Sequence, residues 1–176
     1  MSGVPGSGKS TVAAHVVHTF GAVAVDYDVI KSALLGAGFD LASSTKAAYE
    51  VMYAQARHVL AQGHPVVMDS PCFWPRILTE GMEIAREHNA TYRYIECQVR
   101  DLKILDERLR QRPRLRSHRR GVNHPPLDLG NELADGEALF RDGMNRIQRP
   151  PGNYLQLDMH QPLPEALPKV DFYLNP

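Results

Sequence analysis

Short apolar runs alternate along this chain with longer segments in which apolar residues recur every three or four positions. Continuous apolar runs are typical of strands in a parallel sheet, because helices cover both faces of such a sheet. Strands are therefore predicted over residues 22–26 (AVAVD), 65–69 (PVVMD), 91–99 (TYRYIECQV) and 153–159 (NYLQLDM). Helical spacing predicts helices over residues 10–20, 29–35, 43–63, 78–89 and 101–112. This alternation predicts an α/β fold with a parallel sheet and right-handed crossovers.

Three details of this pattern leave alternatives. The longest predicted helix has either Ser43 or Ser44 as its N-cap. Before the last predicted strand, proline, glycine and charged residues interrupt any period, although residues 131–147 favour a helix. The C-terminal stretch fits either a helix broken at Pro168 or a terminal strand over residues 170–174 (VDFYL).

The amino-acid composition limits the number of domains and the classes of protein that fit this chain. The 176 residues, 43% of them apolar, are enough for one domain over residues 1–176 with an ordinary core. Twenty basic residues balance twenty acidic ones, so no overall field attracts nucleic acid or a membrane surface. No apolar run approaches the roughly 20 residues that span a bilayer. The two cysteines, Cys72 and Cys97, and the lack of a secretory signal predict a soluble cytoplasmic protein without disulfides.

Residues 3–10 (GVPGSGKS) have the glycine, lysine and hydroxyl spacing of a loop that binds nucleotide phosphates. Glycines let successive backbone N–H groups turn toward an anion at the start of a helix, whose dipole favours negative charge. Lys9 supplies a mobile charge for the terminal phosphates, and the Ser10 hydroxyl is the expected ligand of the nucleotide's Mg²⁺. Such loops normally follow a buried strand, yet only two residues precede Gly3 in this sequence.

The strand predicted at residues 65–69 ends in Asp69. A carboxylate at this position resembles the acidic residue that holds Mg²⁺ beside a phosphate-binding loop, directly or through water. The alternative is an ordinary solvated residue at the end of a strand.

Seven arginines and no acidic residue fall between positions 108 and 120: Arg108, Arg110, Arg112, Arg114, Arg116, Arg119 and Arg120. Planar guanidinium groups suit phosphoryl oxygens and stabilise charge during phosphoryl transfer. A basic helix that runs into a segment rich in glycine and proline predicts a closing lid over about residues 108–148. A solvated helix face and a nucleic-acid patch are the alternatives. Arg112 and Arg116 are the candidate catalytic arginines, and Arg108 and Arg112 are candidate nucleotide contacts.

The acceptor side is predicted from two other stretches. Asp26 and Asp28 follow the first predicted strand, at the edge of the sheet where α/β proteins bind ligands. Asp28 is the candidate general base, and its alternative role is the N-cap of the next helix. In residues 69–76 (DSPCFWPR), Trp74 is a candidate wall of the acceptor pocket and Arg76 a candidate contact to an acidic group.

Together these motifs resemble the small P-loop kinases, a group that includes shikimate and gluconate kinases, chloramphenicol phosphotransferase, zeta toxins and polynucleotide kinases. The resemblance implies a three-layer P-loop fold of the AAA type, with ATP and Mg²⁺ as cofactors. It places Asp28 at the general base, Lys31 and Arg76 near the acceptor, and residues 158–162 beside the adenine. The residues it places around the nucleotide are Gly3, Pro5, Gly6, Ser7, Gly8, Lys9, Ser10 and Thr11.

In this family the first strand lies in the middle of the sheet and leads into the loop, and here that strand is missing or truncated. Three explanations are open: the chain starts further upstream, the central position of the sheet is vacant, or residues 170–174 fill it. A sheet that lacks its central strand loses ladder hydrogen bonds and apolar burial. We therefore expect the free energy of unfolding to be marginal.

The predicted function is ATP- and Mg²⁺-dependent transfer of a phosphoryl group to a hydroxyl of a small molecule, with Asp28 as base. One alternative is a 5′-hydroxyl polynucleotide kinase, which the arginines favour and the zero net charge disfavours. The other is a nucleotide-binding module without phosphotransfer. The sequence specifies neither the acceptor, nor ATP over GTP, nor the oligomeric state.

Overall fold

A computed structural model describes residues 1–129 and 135–175 of the chain. Four strands alternate with helices along these residues. In chain order the elements are α1 (Lys9–Phe20), β1 (Val23–Asp26), α2 (Tyr27–Gly36), α3 (Leu41–Ala61), β2 (Val66–Asp69), α4 (Pro75–Glu87), β3 (Ile95–Gln98), α5 (Leu102–Gln111), a 3₁₀ turn (Leu127–Leu129), α6 (Gly136–Arg146), β4 (Leu155–Asp158) and α7 (Leu163–Leu174).

The predicted elements are present, with three corrections. Helix α3 is capped by Asp40, whose carboxylate accepts from two backbone N–H groups, so the prediction of a serine cap is wrong. Of the two alternatives for the C-terminal stretch, the helix is observed, because α7 continues unbroken through Pro168 to Leu174. Strands β3 and β4 have four residues each, instead of the predicted nine and seven. The helix predicted over residues 131–147 is observed from Gly136, and its predicted start lies outside the described residues.

The sheet consists of two parallel pairs held together by the first residues of the chain. Strands β1 and β2 pair in register from Val23 with Val66, and β3 and β4 pair from Ile95 with Leu155. Ser2 forms a parallel bridge to β3, with hydrogen bonds of 2.8 Å to Ile95 O and from Cys97 N. On the other side, the amino group of Met1 donates to Met68 O at 2.9 Å. The order is therefore β1, β2, residues 1–2, β3, β4.

Helices cover both faces of this sheet. One apolar cluster joins α1, α5 and α7 to the sheet, with Leu105, Leu157 and Val170 at its centre. The second joins α3 and α4 to the opposite face, with Met52 and Ile84 fully buried. The predicted three-layer α/β/α architecture is confirmed.

The central position of the sheet is only partly filled. An apolar cavity of about 350 Å³ lies next to Met1, between the facing edges of β2 and of the segment that leads into β3. Its walls include Val67 and Ile95 from the two half-sheets and Ile84 from α4. Of the three explanations for the missing strand, insertion of residues 170–174 is excluded, since these residues lie in α7.

Two further findings concern the cysteines and the apolarity of the helices. Cys72 and Cys97 are both buried free thiols, and burial raises the pKa of the Cys97 thiol to about 12. Among residues 1–129 and 135–175, none of the helices has the length and apolarity needed to cross a bilayer.

Candidate functional site

The glycine-rich loop curls tightly between β3 and the start of α1. Gly3, Gly6 and Gly8 have φ angles of 136°, 84° and 94°, a region of backbone conformation that glycine occupies without penalty. A Cβ atom at Gly3 would lie 2.4 Å from Cys97 O, so this position excludes every larger residue. The loop therefore presents the N-terminus of α1, with its free N–H groups and positive dipole end, to the adjacent cleft.

This cleft has a volume of about 1020 Å³. Small-molecule sites typically occupy about 300–1,000 Å³, so the cleft has room for a nucleotide and a second small ligand. Its lining unites the loop, the carboxyl ends of β1 and β2, the end of α5 and the segment after β4. The predicted site residues among the lining are Pro5, Gly6, Gly8, Lys9, Ser10, Thr11, Asp26, Asp28, Asp69, Arg108 and Arg112. Gly3 and Ser7 are buried inside the loop itself.

Lys9 and Ser10 lie at the start of α1, on the floor of the cleft. The Lys9 ammonium donates to Val4 O at 3.2 Å, which holds it above the loop. Asp69, at the end of β2, is 4% exposed, and its Oδ1 atom is buried without a hydrogen-bond partner among the described residues. An unsatisfied buried carboxylate oxygen in the same cleft as the Ser10 hydroxyl fits Mg²⁺, which prefers oxygen ligands and retains waters and phosphate oxygens. No cluster of three or more His, Cys, Asp or Glu is found in the described part of the chain.

Asp26 caps α2. Its Oδ1 accepts from Asp28 N at 2.7 Å and from Val29 N at 3.3 Å, so the cap role considered for Asp28 belongs to Asp26. Burial and then the charge of Asp69 raise the pKa of Asp26, against the opposing effect of the two N–H groups. Asp28, one position into the helix, is left to face the cleft.

The Asp28 carboxylate is held by two residues that the sequence did not single out. Ser117 Oγ donates to Asp28 Oδ1 at 2.9 Å, and His118 Nε2 lies 3.6 Å from Asp28 Oδ2. Burial raises the pKa of Asp28, but the polar interactions with His118 and Ser117 and the charge of Lys9 outweigh it, so this pKa lies below its ordinary value. Asp28 is therefore ionised at neutral pH and can accept a hydrogen bond from a hydroxyl group.

The arginines of the predicted lid divide into two kinds. Arg108 lines the cleft and donates to Met159 O at 2.8 Å, and Arg112 lines it with a buried Nε that has no partner in the described residues. Burial lowers the pKa of Arg112 against the charges of Asp28 and Asp26. Arg116, in contrast, forms a two-pronged ion pair with Asp128 and does not line the cleft.

Three predicted acceptor residues lie outside the cleft lining. The Arg76 guanidinium pairs with Glu50 at 2.6 Å and Glu80 at 3.3 Å on the exposed side of α4. Lys31 lies over the ring of Tyr27, 5.7 Å from its centre. Trp74 is 42% exposed and makes edge contacts with two other aromatic rings. The geometry thus groups Asp28 with the phosphate loop and Arg112, and does not group these three with them.

The far end of the cleft follows β4. Met159, His160, Gln161 and Pro162 line it, next to Arg108 and the N-terminal half of α1. This is the segment that the family resemblance places beside the adenine.

The sequence profile of the family described as "AAA domain" matches residues 1–128, so the chain belongs to this family. No significant match exists among the curated proteins. Among solved structures, a gluconokinase from Sinorhizobium meliloti 1021 aligns over 99% of this chain and 91% of its own, with 18% identity and a TM-score of 0.59.

Two further solved structures are similar. The APS kinase of Mycobacterium tuberculosis, in complex with AMPPNP and APS, aligns over 99% of this chain and 95% of its own, with 18% identity and a TM-score of 0.64. A sugar kinase from Janibacter sp. HTCC2649 aligns over 99% of this chain and 91% of its own, with 16% identity and a TM-score of 0.59. These likenesses confirm the predicted P-loop kinase fold.

Proposed function

We propose that this chain is an ATP- and Mg²⁺-dependent phosphotransferase that acts on a hydroxyl of a small molecule. One observation carries the proposal: a phosphate-binding loop, an unpaired buried carboxylate, an ionised carboxylate and an unpaired arginine nitrogen all border a single cleft of about 1020 Å³. Each of these groups has a role in phosphoryl transfer, and few other reactions need all four together.

On the nucleotide side, the loop amides and Lys9 would bind the phosphates of ATP, and Ser10 and Asp69 would hold Mg²⁺. When bound, Mg²⁺ would neutralise part of the negative charge of the phosphates. Arg108 and the segment after β4 would contact the remainder of the nucleotide. A structural neighbour with this fold was solved with AMPPNP and APS together, which supports a cleft for two ligands.

On the acceptor side, Asp28 would accept the proton of the attacking hydroxyl and hold its oxygen toward the terminal phosphate. Arg112, about one helical turn past Arg108, would approach the transferring group from the lid. Because Asp28 and Arg112 line the same cleft and the charge of Asp28 acts on Arg112, the site would orient the acceptor before transfer.

The two alternative functions have less support. A polynucleotide kinase needs free positive charge for the phosphate backbone, yet Arg110 pairs with Asp106 and Arg116 with Asp128. A nucleotide-binding module without transfer has no use for an ionised Asp28 facing the phosphate loop.

The test is transfer of radiolabelled γ-phosphate from ATP to a panel of sugars, antibiotics, nucleosides and a 5′-hydroxyl oligonucleotide, with Mg²⁺ present. A labelled small molecule made by the wild type and not by Asp28→Asn is the expected result. A labelled oligonucleotide alone would replace the proposal by the first alternative. Tight ATP binding without any labelled product would replace it by the second.

A further inference from the structure

The predicted lid contacts the acceptor side of the cleft through a short turn. The turn at residues 115–118, which follows the arginine-rich end of α5, packs against α2. Ser117 is the centre of this contact, with 7% of its surface exposed. Its hydroxyl lies 2.9 Å from Asp28 Oδ1 and 3.2 Å from Asp28 O. A serine has one hydroxyl hydrogen, and the shorter distance and the charge favour the carboxylate.

A second serine fixes the direction of this hydroxyl. Ser32 Oγ accepts from Ser117 N at 3.0 Å and donates to Ser117 Oγ at 3.0 Å. Because Ser117 Oγ already accepts the Ser32 hydroxyl hydrogen, its own hydrogen is directed to Asp28. Ser32 lies four positions after Asp28 on α2, so one turn of helix carries both partners of Ser117.

His118 approaches the other oxygen of the same carboxylate. Its Nδ1 accepts from Leu115 N at 3.2 Å, so a neutral ring must carry its hydrogen on Nε2. Nε2 lies 3.6 Å from Asp28 Oδ2, which is longer than a hydrogen bond, and the side chain is 13% exposed. The N–H group therefore acts on Oδ2 through its dipole, whereas Ser117 makes a direct bond to Oδ1.

We infer that Ser117, assisted by His118, is a positioning residue for phosphoryl transfer, which sets the orientation of the Asp28 carboxylate from the lid. This inference rests on the proposed function of Asp28. With Oδ1 occupied by Ser117, the remaining lone pairs of Oδ2 are the ones available to an acceptor hydroxyl. Since Ser117 and Arg112 belong to the same lid, one docking event would orient the carboxylate and place the arginine.

The experiment compares Ser117→Ala with Ser32→Ala. Each variant removes part of the link between the lid and α2, but only Ser117→Ala removes the hydroxyl that donates to the Asp28 carboxylate. Single-turnover transfer, with whichever acceptor the panel identifies, should fall about tenfold in Ser117→Ala, the equivalent of one charge-assisted hydrogen bond. ATP affinity should stay near the wild-type value in both variants, and Ser32→Ala should lose less of the transfer rate than Ser117→Ala, because its Ser117 hydroxyl still reaches Asp28. Ser117→Thr, which keeps the hydroxyl, should recover part of the rate.

A second readout needs no acceptor. The ¹³C signal of the Asp28 carboxyl, assigned by its loss in Asp28→Asn, reports how this group titrates. Its pKa should rise in Ser117→Ala, because a donor to the charged form is lost, and should rise less in Ser32→Ala, which keeps that donor. This result would hold even if no acceptor were found, so it separates failure of this inference from failure of the proposed function.

The double variant Ser117→Ala/Asp28→Asn completes the test. If Ser117 acts through Asp28, the double variant should transfer phosphate no more slowly than Asp28→Asn alone. Additive losses, or equal effects of Ser117→Ala and Ser32→Ala on both the rate and the Asp28 titration, would show that Ser117 only attaches the lid, and the inference would be overturned.

Discussion

The two sides of the cleft are built in different ways. The phosphate side consists of consecutive residues, 3 to 11, and its geometry resides in the backbone and in three glycines with positive φ. The acceptor side consists of side chains from α2, the end of α5 and the turn at residues 115–118, and its central hydrogen bond joins residues 89 positions apart. A site made of local backbone can be recognised from the spacing of residues in the sequence. A site made of side chains that are distant in sequence depends on the tertiary fold.

The largest effect is expected on the phosphate side, from Lys9→Ala. A lysine bound to phosphate contributes a charged hydrogen bond worth about 1.5–3 kcal/mol, so ATP affinity should fall by about tenfold to a hundredfold. Transfer should fall below detection, because the same charge is needed as the phosphate moves. Calorimetric titration with ATP at fixed Mg²⁺, together with the radiolabel assay, measures both effects.

Lys9→Arg is the matched control, since it keeps the charge and changes the shape of the donor. It should retain more of the ATP affinity than Lys9→Ala. Equal ATP affinity for the wild type and Lys9→Ala would show that the loop does not bind the nucleotide through this residue, and the phosphate side would have to be reassigned.

The next effect is expected on the acceptor side and separates its two aspartates. Asp28→Asn keeps the shape of the side chain and removes its basicity, so single-turnover transfer should fall by about 10²–10⁴-fold with little change in ATP affinity. Asp26→Asn should transfer phosphate nearly as well as the wild type, because asparagine caps a helix as well as aspartate does. Normal transfer by Asp28→Asn and loss in Asp26→Asn would reverse the two assignments.

The pH dependence of transfer sharpens this assignment. The pKa of Asp28 in the folded state lies below its ordinary value. The interactions that stabilise the ionised carboxylate are therefore complete above the ordinary carboxyl pKa, and they are lost only as the pH falls through the lower folded value. The contribution of Asp28 to the transfer rate should therefore be constant from neutral pH down to about pH 4, the ordinary value for aspartate. A loss centred near pH 6 to 7 would assign the limiting group to another residue.

The same division between local and distant structure explains what the sequence predicts. The strands, most helices and the phosphate loop follow from apolar period and glycine spacing, both of which are local. Asp69 was also predictable, because the end of a parallel strand lies at the edge of the sheet where ligands bind.

The arginines of the lid show which contacts cannot be predicted from the sequence. Arg112 and Arg116 have the same chemistry and lie four positions apart, yet one borders the cleft and the other pairs with Asp128. That ion pair depends on how the lid segment folds back 12 positions later in the chain. Ser117 and His118 likewise carry no spacing signal, because their partner, Asp28, is distant in sequence.

The phosphate side borders an incompletely filled part of the sheet. Just before the loop, Met1 N donates to Met68 O and Ser2 bridges to Glu96 of β3. Beside these residues lies the apolar cavity of about 350 Å³ between the two half-sheets. The backbone edges of β2 and of the segment that leads into β3 thus face each other across space that a strand would fill.

The smallest effect is expected from filling this cavity. An apolar extension of four residues joined to Met1, such as Val-Ile-Val-Leu, should extend the pairing of residues 1–2 and bury side chains on both faces of the sheet. Each buried aliphatic side chain contributes about 1.5–3 kcal/mol, against about 1–2 kcal/mol for ordering its backbone, so the net gain is about 1 kcal/mol or more. The melting temperature should then rise by about 2–4 °C per kcal/mol for a domain of this size.

Gly-Ser-Gly-Ser at the same position is the control, because it has the same length without apolar burial. ATP affinity should increase with the apolar extension, since the loop gains support, whereas the titration of Asp28 should not change. An identical melting temperature for the two extensions would show that the cavity does not accept a strand, and a change in the Asp28 titration would show that the two sides of the cleft are not independent.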